Sequence, residues 1–254
     1  MVLRVLWALK GAAITELHAG KVRDRIRYNL ALPVDRFGHQ IWSIMTDALT
    51  RAHFTGRSVV HVDPGIRDFP INLARVPWLV GALDGSEIHV VKDGCSYVFE
   101  VTHPWLEGPM TRVLWQDADT GQLTYMANET FFLLPEHQGQ GLGARSCAVE
   151  VTEVARLGIQ FLGCWAAGRP GSADVGYYVW PALGFDAELG EAEIALLPAH
   201  LQHCSTLNAL FLEADGAAYW RVHGSPRYVS FRLEQGSTSW DILNAYLQEN
   251  GIEL

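Results

Sequence analysis

Apolar residues follow two rhythms along this chain. Between residues 38 and 54 (G-H-Q-I-W-S-I-M-T-D-A-L-T-R-A-H-F), Ile41, Ile44, Met45, Ala48 and Leu49 recur at helical spacing. From Ser58 the rhythm becomes that of strands. Ser58–Val62 predicts a short strand. Glu87–Val91 and Tyr97–Val101 alternate or run apolar on either side of Asp93-Gly94, a dipeptide suited to a tight hairpin. A second pair is predicted at Arg112–Trp115 and Leu123–Met126, joined by Asp119-Thr120-Gly121, with a further strand at Phe131–Leu134 that stops at Pro135. Cys147, Val149, Val151, Val154, Ala155 and Leu157 then mark a helix from Ala144 to Leu157, with Gly158 as its stop. Ile159–Trp165 (I-Q-F-L-G-C-W) reads as a fully buried strand. Strand, helix, strand in that order implies a parallel, βαβ-like arrangement.

Downstream, Asp174–Leu183 predicts a short helix ended by Pro181 or Gly184, and residues 191–223 look mostly helical. Arg227–Leu233 alternates like a strand. Ser237-Thr238-Ser239 can cap a last helix carrying Trp240, Ile242, Leu243, Tyr246 and Leu247, stopped at Asn250-Gly251. With no internal repeat and no low-complexity tract, 254 residues suit one α/β domain or a domain with an appendage.

Composition narrows the function classes. The apolar share of 49% is ordinary for a globular protein. No apolar run reaches the length of a membrane span, so no membrane association is expected. Met1–Lys10 is apolar but lacks a basic start and a small-residue cleavage site, and reads as mature protein. A formal charge of −9 disfavours nucleic acid as a partner and is weakly compatible with an amine substrate. Cys95, Cys147, Cys164 and Cys204 show no paired spacing and predict buried or free thiols in a reducing cytoplasm. His200, His203 and Cys204 could share a helix face, but no second ligand pair accompanies them, so no metal is expected.

The richest segment is Thr130–Ala144, T-F-F-L-L-P-E-H-Q-G-Q-G-L-G-A. Strand, glycine turn and helix together aim backbone N–H groups at a phosphate, and glycine lets the ligand reach the backbone. Gly139, Gly141 and Ala144 fit the dinucleotide fingerprint. However, Pro135-Glu136-His137-Gln138 separates strand from glycine, and the next strand ends Cys164-Trp165-Ala166-Ala167 with no acid for a ribose. A nucleotide-dependent oxidoreductase is therefore a remote alternative. No Gly-Lys-Ser/Thr follows, which removes the P-loop.

Gln138-Gly139-Gln140-Gly141-Leu142-Gly143 instead matches Q/R-x-x-G-x-G/A, and about forty residues on comes Tyr177-Tyr178-Val179-Trp180-Pro181-Ala182-Leu183-Gly184-Phe185. In these two motifs the chain resembles the GCN5-related N-acetyltransferase superfamily over residues 110–186. The resemblance implies a mixed, mostly antiparallel sheet with a splayed strand pair and helices on both faces. On that reading residues 1–110 supply the first strands and acceptor-side helices, 111–186 form the acyl-CoA-binding core, and 187–254 add a helical insertion and a closing strand and helix. The insertion would cover the acceptor cleft or form an interface such as that of a homodimer.

The function implied is N-acyl transfer, most simply from acetyl-CoA, onto a small-molecule or peptide amine. The pyrophosphate would sit on Gln138, Gly139, Gln140, Gly141, Leu142, Gly143 and Ala144, and the pantetheine arm along the strand that carries Phe132, Leu133 and Leu134. A backbone N–H of that strand would polarise the acyl carbonyl. Glu129 is the candidate base and Asp174 its rival. The family's usual tyrosine position holds Trp180, which is read as a cofactor-binding residue, and an indole N–H is too weak an acid for a thiolate. Tyr177, one turn earlier on the same helix face, is the substitute acid; otherwise the thiolate leaves unprotonated. The missing tyrosine motivates a second reading, an acyl-CoA-binding protein or an enzyme with a carrier- or tRNA-bound donor.

Overall fold

The computed structural model describes residues 47–254. The N-terminal start, the predicted helix up to residue 46 and any strands before it lie outside the described residues. The described chain opens with a short helix α1 (Ala48–His53), whose first N–H groups, those of Leu49 and Thr50, donate to the Asp47 carboxylate.

Among the described residues seven strands form one sheet in sequence order: β1 (Val59–Val62), β2 (Glu87–Asp93), β3 (Ser96–Thr102), β4 (Met110–Gln116), β5 (Leu123–Thr130), β6 (Phe161–Ala166) and β7 (Arg227–Arg232). β2 to β5 make antiparallel hairpins, as the turn residues predict, with Asp93 pairing Ser96 across Gly94. β1 pairs with β2 and β5 with β6 in parallel, and β7 closes antiparallel to β6. The sheet is thus mixed and mostly antiparallel, as expected.

Helices fill the links. A 3₁₀ turn at Leu73–Arg75 leads into α2 (Val76–Leu79), and α3 (Leu142–Arg156) joins β5 to β6. Between β6 and β7 run α4 (Gly176–Ala182), α5 (Glu191–Leu196), α6 (Leu207–Phe211) and α7 (Gly216–His223); α8 (Thr238–Glu249) follows β7. The 191–223 region is therefore helical in three pieces. Ser237 is the N-cap residue of α8, but its hydroxyl donates to the Arg232 carbonyl instead of capping the helix.

One sheet face carries Ile88, Val90, Tyr97, Phe99, Leu114, Met126, Leu162 and Phe231, all buried in a single hydrophobic core. α3 reaches this face through Glu150, and α8 through Trp240, whose ring meets Phe231 edge-on at 5.1 Å. The other face corrects one expectation. β6 is not buried on both sides: Phe161 is 43% and Trp165 49% exposed, and Tyr228 beside them on β7 is 51% exposed. An uninterrupted apolar run therefore did not mean two covered faces here.

The Gly-Phe motif has a structural cause. Gly184 sits at φ +91°, just past α4, where a side chain would collide with the Ser239 carbonyl. The N–H of Phe185 donates to Trp180 O at 3.1 Å and that of Gly184 to Pro181 O at 3.0 Å, the paired bonds of a left-handed helix stop. This stop turns Phe185 into the core, between Trp180 and Phe231.

Candidate functional site

Two departures from regular structure make the site. The first is a β-bulge. Thr111 pairs with Thr130 and Arg112 with Asn128, so Glu129 is the extra residue on β5. The second is the end of the parallel pairing. Tyr125–Asn128 pair with Phe161–Cys164, but β5 continues to Thr130 and β6 to Ala166 without pairing to each other. The two strands thus open into a wedge beyond Asn128 and Cys164.

Along the wedge, residues 131–134 do not form the predicted strand. The chain stays extended, but β5 ends at Thr130 and only one isolated bridge follows, Leu133 with Leu106. Glu107 N donates to Phe132 O and Leu134 N to Trp105 O, each at 2.9 Å. Since Phe132 and Leu134 bond to the 105–107 segment, the N–H of Leu133 points to the opposite edge, into the wedge. It has no acceptor among the described residues. The Leu133 carbonyl takes the Gln138 side-chain amide at 2.7 Å.

The glycine turn follows a 3₁₀ turn at Pro135–His137. Gly139 and Gly141 both lie at φ +73°. α3 begins two residues earlier than predicted, so Gly143 and Ala144 belong to its first turn. Gly141 offers no side-chain cap. The N–H groups of Gly141, Leu142, Gly143 and Ala144 find no acceptor among the described residues. They stand at the positive end of a 15-residue helix. Gln140 braces the loop through its amide, which donates to Glu136 O at 2.9 Å.

Sequence reasoning missed what holds this turn. Arg145, almost fully buried, donates from Nη1 to Gln140 O at 3.2 Å. Its Nη2 pairs with Asp47 Oδ2 at 2.6 Å, and its Nε reaches Thr50 Oγ1 at 3.1 Å. Asp47 Oδ2 also accepts from Glu253 N at 3.0 Å. One carboxylate therefore ties α1, α3 and the 253 backbone together under the turn. The available signal was a lone arginine inside the otherwise small and apolar run from Leu142 to Ala148.

Burial opposes ionisation of Asp47, but the Arg145 bond and the N–H groups of Thr50 and Glu253 outweigh it and hold the carboxyl well below the usual range. A carboxyl depressed in the folded state stabilises above its unfolded value, near about pH 4, and loses that contribution as pH falls through the folded value. Melting temperatures followed from pH 7 down to about pH 2 should therefore keep this contribution to about pH 4 and lose it progressively below. Asp47→Asn should lower the melting temperature at pH 7 and flatten that acid slope. An unchanged slope would remove Asp47 from this role.

The predicted catalytic residues lie on separate elements. Glu129, at the bulge, is half-buried, and its side chain makes no hydrogen bond or ion pair with a described residue. Asp174 lies in the loop between β6 and α4, where its Oδ1 is buried without a partner among the described residues. Tyr177 is committed elsewhere: its hydroxyl donates to Arg221 O at 2.7 Å, and its N–H donates to Ala167 O at 2.8 Å. Burial pushes that hydroxyl up. Trp180 is 2% exposed, packed edge-on to Phe185 at 4.8 Å, and faces the core. Cys164 lies beside the wedge, but burial pushes its thiol well up, with Cys147, Glu150 and Glu129 adding to the rise, which leaves it inert as a nucleophile. All four cysteines are free. His200 and His203 form two separate pairs, with Asp215 at 2.9 Å and Glu213 at 3.1 Å.

The site thus combines a mixed sheet whose pairing ends between its fifth and sixth described strands with a helix whose first amides are bare. No family model matches the chain, and no curated protein matches it. Among solved structures it is similar in part to N-acetylglutamate synthase from Neisseria gonorrhoeae, solved with coenzyme A and N-acetyl-glutamate. Identity is 14%, the TM-score is 0.26, and the match covers 67% of this chain and 34% of that one. The chain thus spans about a third of that protein's length. At this level of similarity the match assigns no activity. No helix among the described residues is long and apolar enough to cross a membrane.

Proposed function

We propose that this chain is an acyl-CoA-dependent N-acyltransferase, in the simplest case transferring acetyl to a small-molecule or peptide amine. The observation that carries the reading is the row of bare N–H groups from Gly141 to Ala144 beside the wedge between β5 and β6. The pyrophosphate of the donor sits on that row, where fixed dipoles replace its hydration. The pantetheine arm runs along 131–134 on the edge that the 105–107 segment leaves open. The Leu133 N–H then donates to the arm or to the acyl carbonyl, whose oxygen gains charge during attack.

The amine nitrogen attacks the thioester carbon, the C–S bond breaks, and coenzyme A leaves as thiolate. The proton shed by the ammonium passes, directly or through water, to Glu129 or Asp174. Both carboxylates have free capacity: Glu129 has no described partner and Asp174 Oδ1 is orphaned. Tyr177 fits better as a clamp between α4 and α7 than as an acid, because its proton is already given to Arg221 O. A thiolate leaving without help is chemically reasonable, since thiols titrate near about pH 8.5. The carrier- or tRNA-bound donor is the second reading, favoured by Trp180 at the position where a tyrosine would serve.

Acetyl-CoA and coenzyme A, at about a hundred times their dissociation constants, should each stabilise the protein by about 2.7 kcal/mol. For a chain of this size that is a shift of roughly 5–10 °C in melting temperature. NAD should produce none. No response to either coenzyme A species would end the proposal. Across an amine panel, Glu129→Gln should lower kcat at least tenfold with little change in KM for the donor. If Asp174→Asn does so instead, Asp174 is the base.

A further inference from the structure

Parallel pairing at the sheet edge brings together residues that are far apart in sequence. β1 pairs with β2 so that His61 stands beside His89, and Glu87 lies two residues before His89 on the same face. The imidazole rings of His61 and His89 stack with centroids 4.7 Å apart and an interplanar angle of 18°. One ligand atom from each of His61, Glu87 and His89 lies within 4.8 Å of the others, and all three side chains are exposed. None of the three side chains makes a hydrogen bond or ion pair with a described residue, so their donor atoms are not spent on holding the fold together.

We propose that His61, Glu87 and His89 form a binding site for a divalent first-row transition-metal ion of the zinc class. Two imidazoles and a carboxylate are the donors such ions prefer, and hard cations such as magnesium favour oxygen alone. Ligand atoms around tetrahedral zinc lie about 3.3 Å apart, given bonds of about 2.0–2.1 Å. The three groups must therefore draw in by at most about 1.5 Å from their present spacing, which exposed side-chain rotamers allow. The backbone fixes the rest, because the register of β1 against β2 sets which side chains meet.

The next strand adds to the fit. Glu100 on β3 is the register partner of His89 and is exposed on the same face. It is placed to accept the N–H of the imidazole nitrogen that does not bind metal, the outer contact that orients ligating histidines. Three protein ligands leave at least one coordination position open to solvent, so the ion can take water or a donor group from another molecule. β1 has only four residues and is the outer strand of the sheet among the described residues. Metal bound here would pin this edge to β2. The site lies on other elements than the β5–β6 wedge, and it does not depend on the acyltransferase reading.

The test is zinc titration of the full chain in competition with a chromophoric chelator, with a thermal melt at each zinc level. The expected result is a site that weakens at least tenfold in His61→Ala and in His89→Ala, and measurably in Glu87→Gln. Zinc should raise the melting temperature of the wild type and leave that of His61→Ala/His89→Ala unmoved. His200→Ala/His203→Ala is the control for zinc held by the other surface histidines, and it should keep the wild-type affinity. Equal zinc affinity and stoichiometry in the wild type and in His61→Ala/His89→Ala would overturn the proposal, as would a loss seen only in the control.

Discussion

Gly141→Glu is expected to abolish coenzyme A binding in a chain that still folds. Three effects act together. At φ +73° any side chain is strained, by about 1–2 kcal/mol. A Cβ there would lie 2.6 Å from Arg145 Nη1 and 3.2 Å from Ile252 Cδ1. Arg145 cannot swing away cheaply, because its guanidinium is held by Asp47 and Gln140 O. The added carboxylate would also stand at the helix start, where the donor's pyrophosphate is to sit, and would compete for the same N–H groups. Isothermal titration with coenzyme A, with circular dichroism as the folding check, measures the effect. Gly141→Ala separates the causes: it keeps the steric strain without the charge and should weaken binding less. A folded Gly141→Glu protein that binds coenzyme A as tightly as the wild type would place the donor elsewhere.

The largest stability effect should come from Arg112→Met. Arg112 and Glu150 are essentially inaccessible, with Nε to Oε1 at 2.7 Å. Asn128 donates to the other carboxylate oxygen at 2.9 Å, and Arg112 Nη1 bonds to Thr111 O at 3.2 Å and Thr130 O at 3.0 Å. Removing the cation leaves a buried carboxylate with a single neutral donor, which costs about 3–5 kcal/mol. Set against a total of about 5–15 kcal/mol, that is a large fraction of stability and a drop of roughly 10 °C in melting temperature. Denaturant titration reads it directly. Adding Glu150→Leu to Arg112→Met should recover most of the loss, since the stranded charge goes with it. A loss below about 1 kcal/mol in the single variant would mean that water reaches the pair. Because Arg112 holds the carbonyl of Thr130 beside the bulge, the variant should also disturb the wedge.

These features differ in how far the amino-acid order announces them. The hairpins were legible because Asp93-Gly94 and Asp119-Thr120-Gly121 leave the chain little choice of turn. α3 was legible through its apolar spacing and the glycines before it. The Phe131–Leu134 strand was not: its residues are apolar and extended, but a strand also needs partners, and β6 has left by that point. The bulge at Glu129 has no local signature, because it arises from a mismatch in register between β4 and β5. The Arg145–Asp47 pair spans 98 residues and the His61–His89 stack joins separate strands, so neither could be found without the topology. The exposed face of β6 escaped for a related reason. Phe161 and Trp165 look like core in sequence, and only strand alternation shows them on the side opposite Leu162 and Cys164.

The wedge also bears on what the protein keeps out. Unpaired strand edges invite other chains to add to them, and here two such edges face each other inside one sheet. A peptide strand inserted between them would need about 9.6 Å of separation along its whole length, twice the normal strand spacing. The edges start from full contact at Asn128 and Cys164 and diverge only from there. A taper of that kind has no room for a flat polypeptide, whereas the arm proposed as its ligand is slender; on that proposal the opening would also be shaped against aggregation.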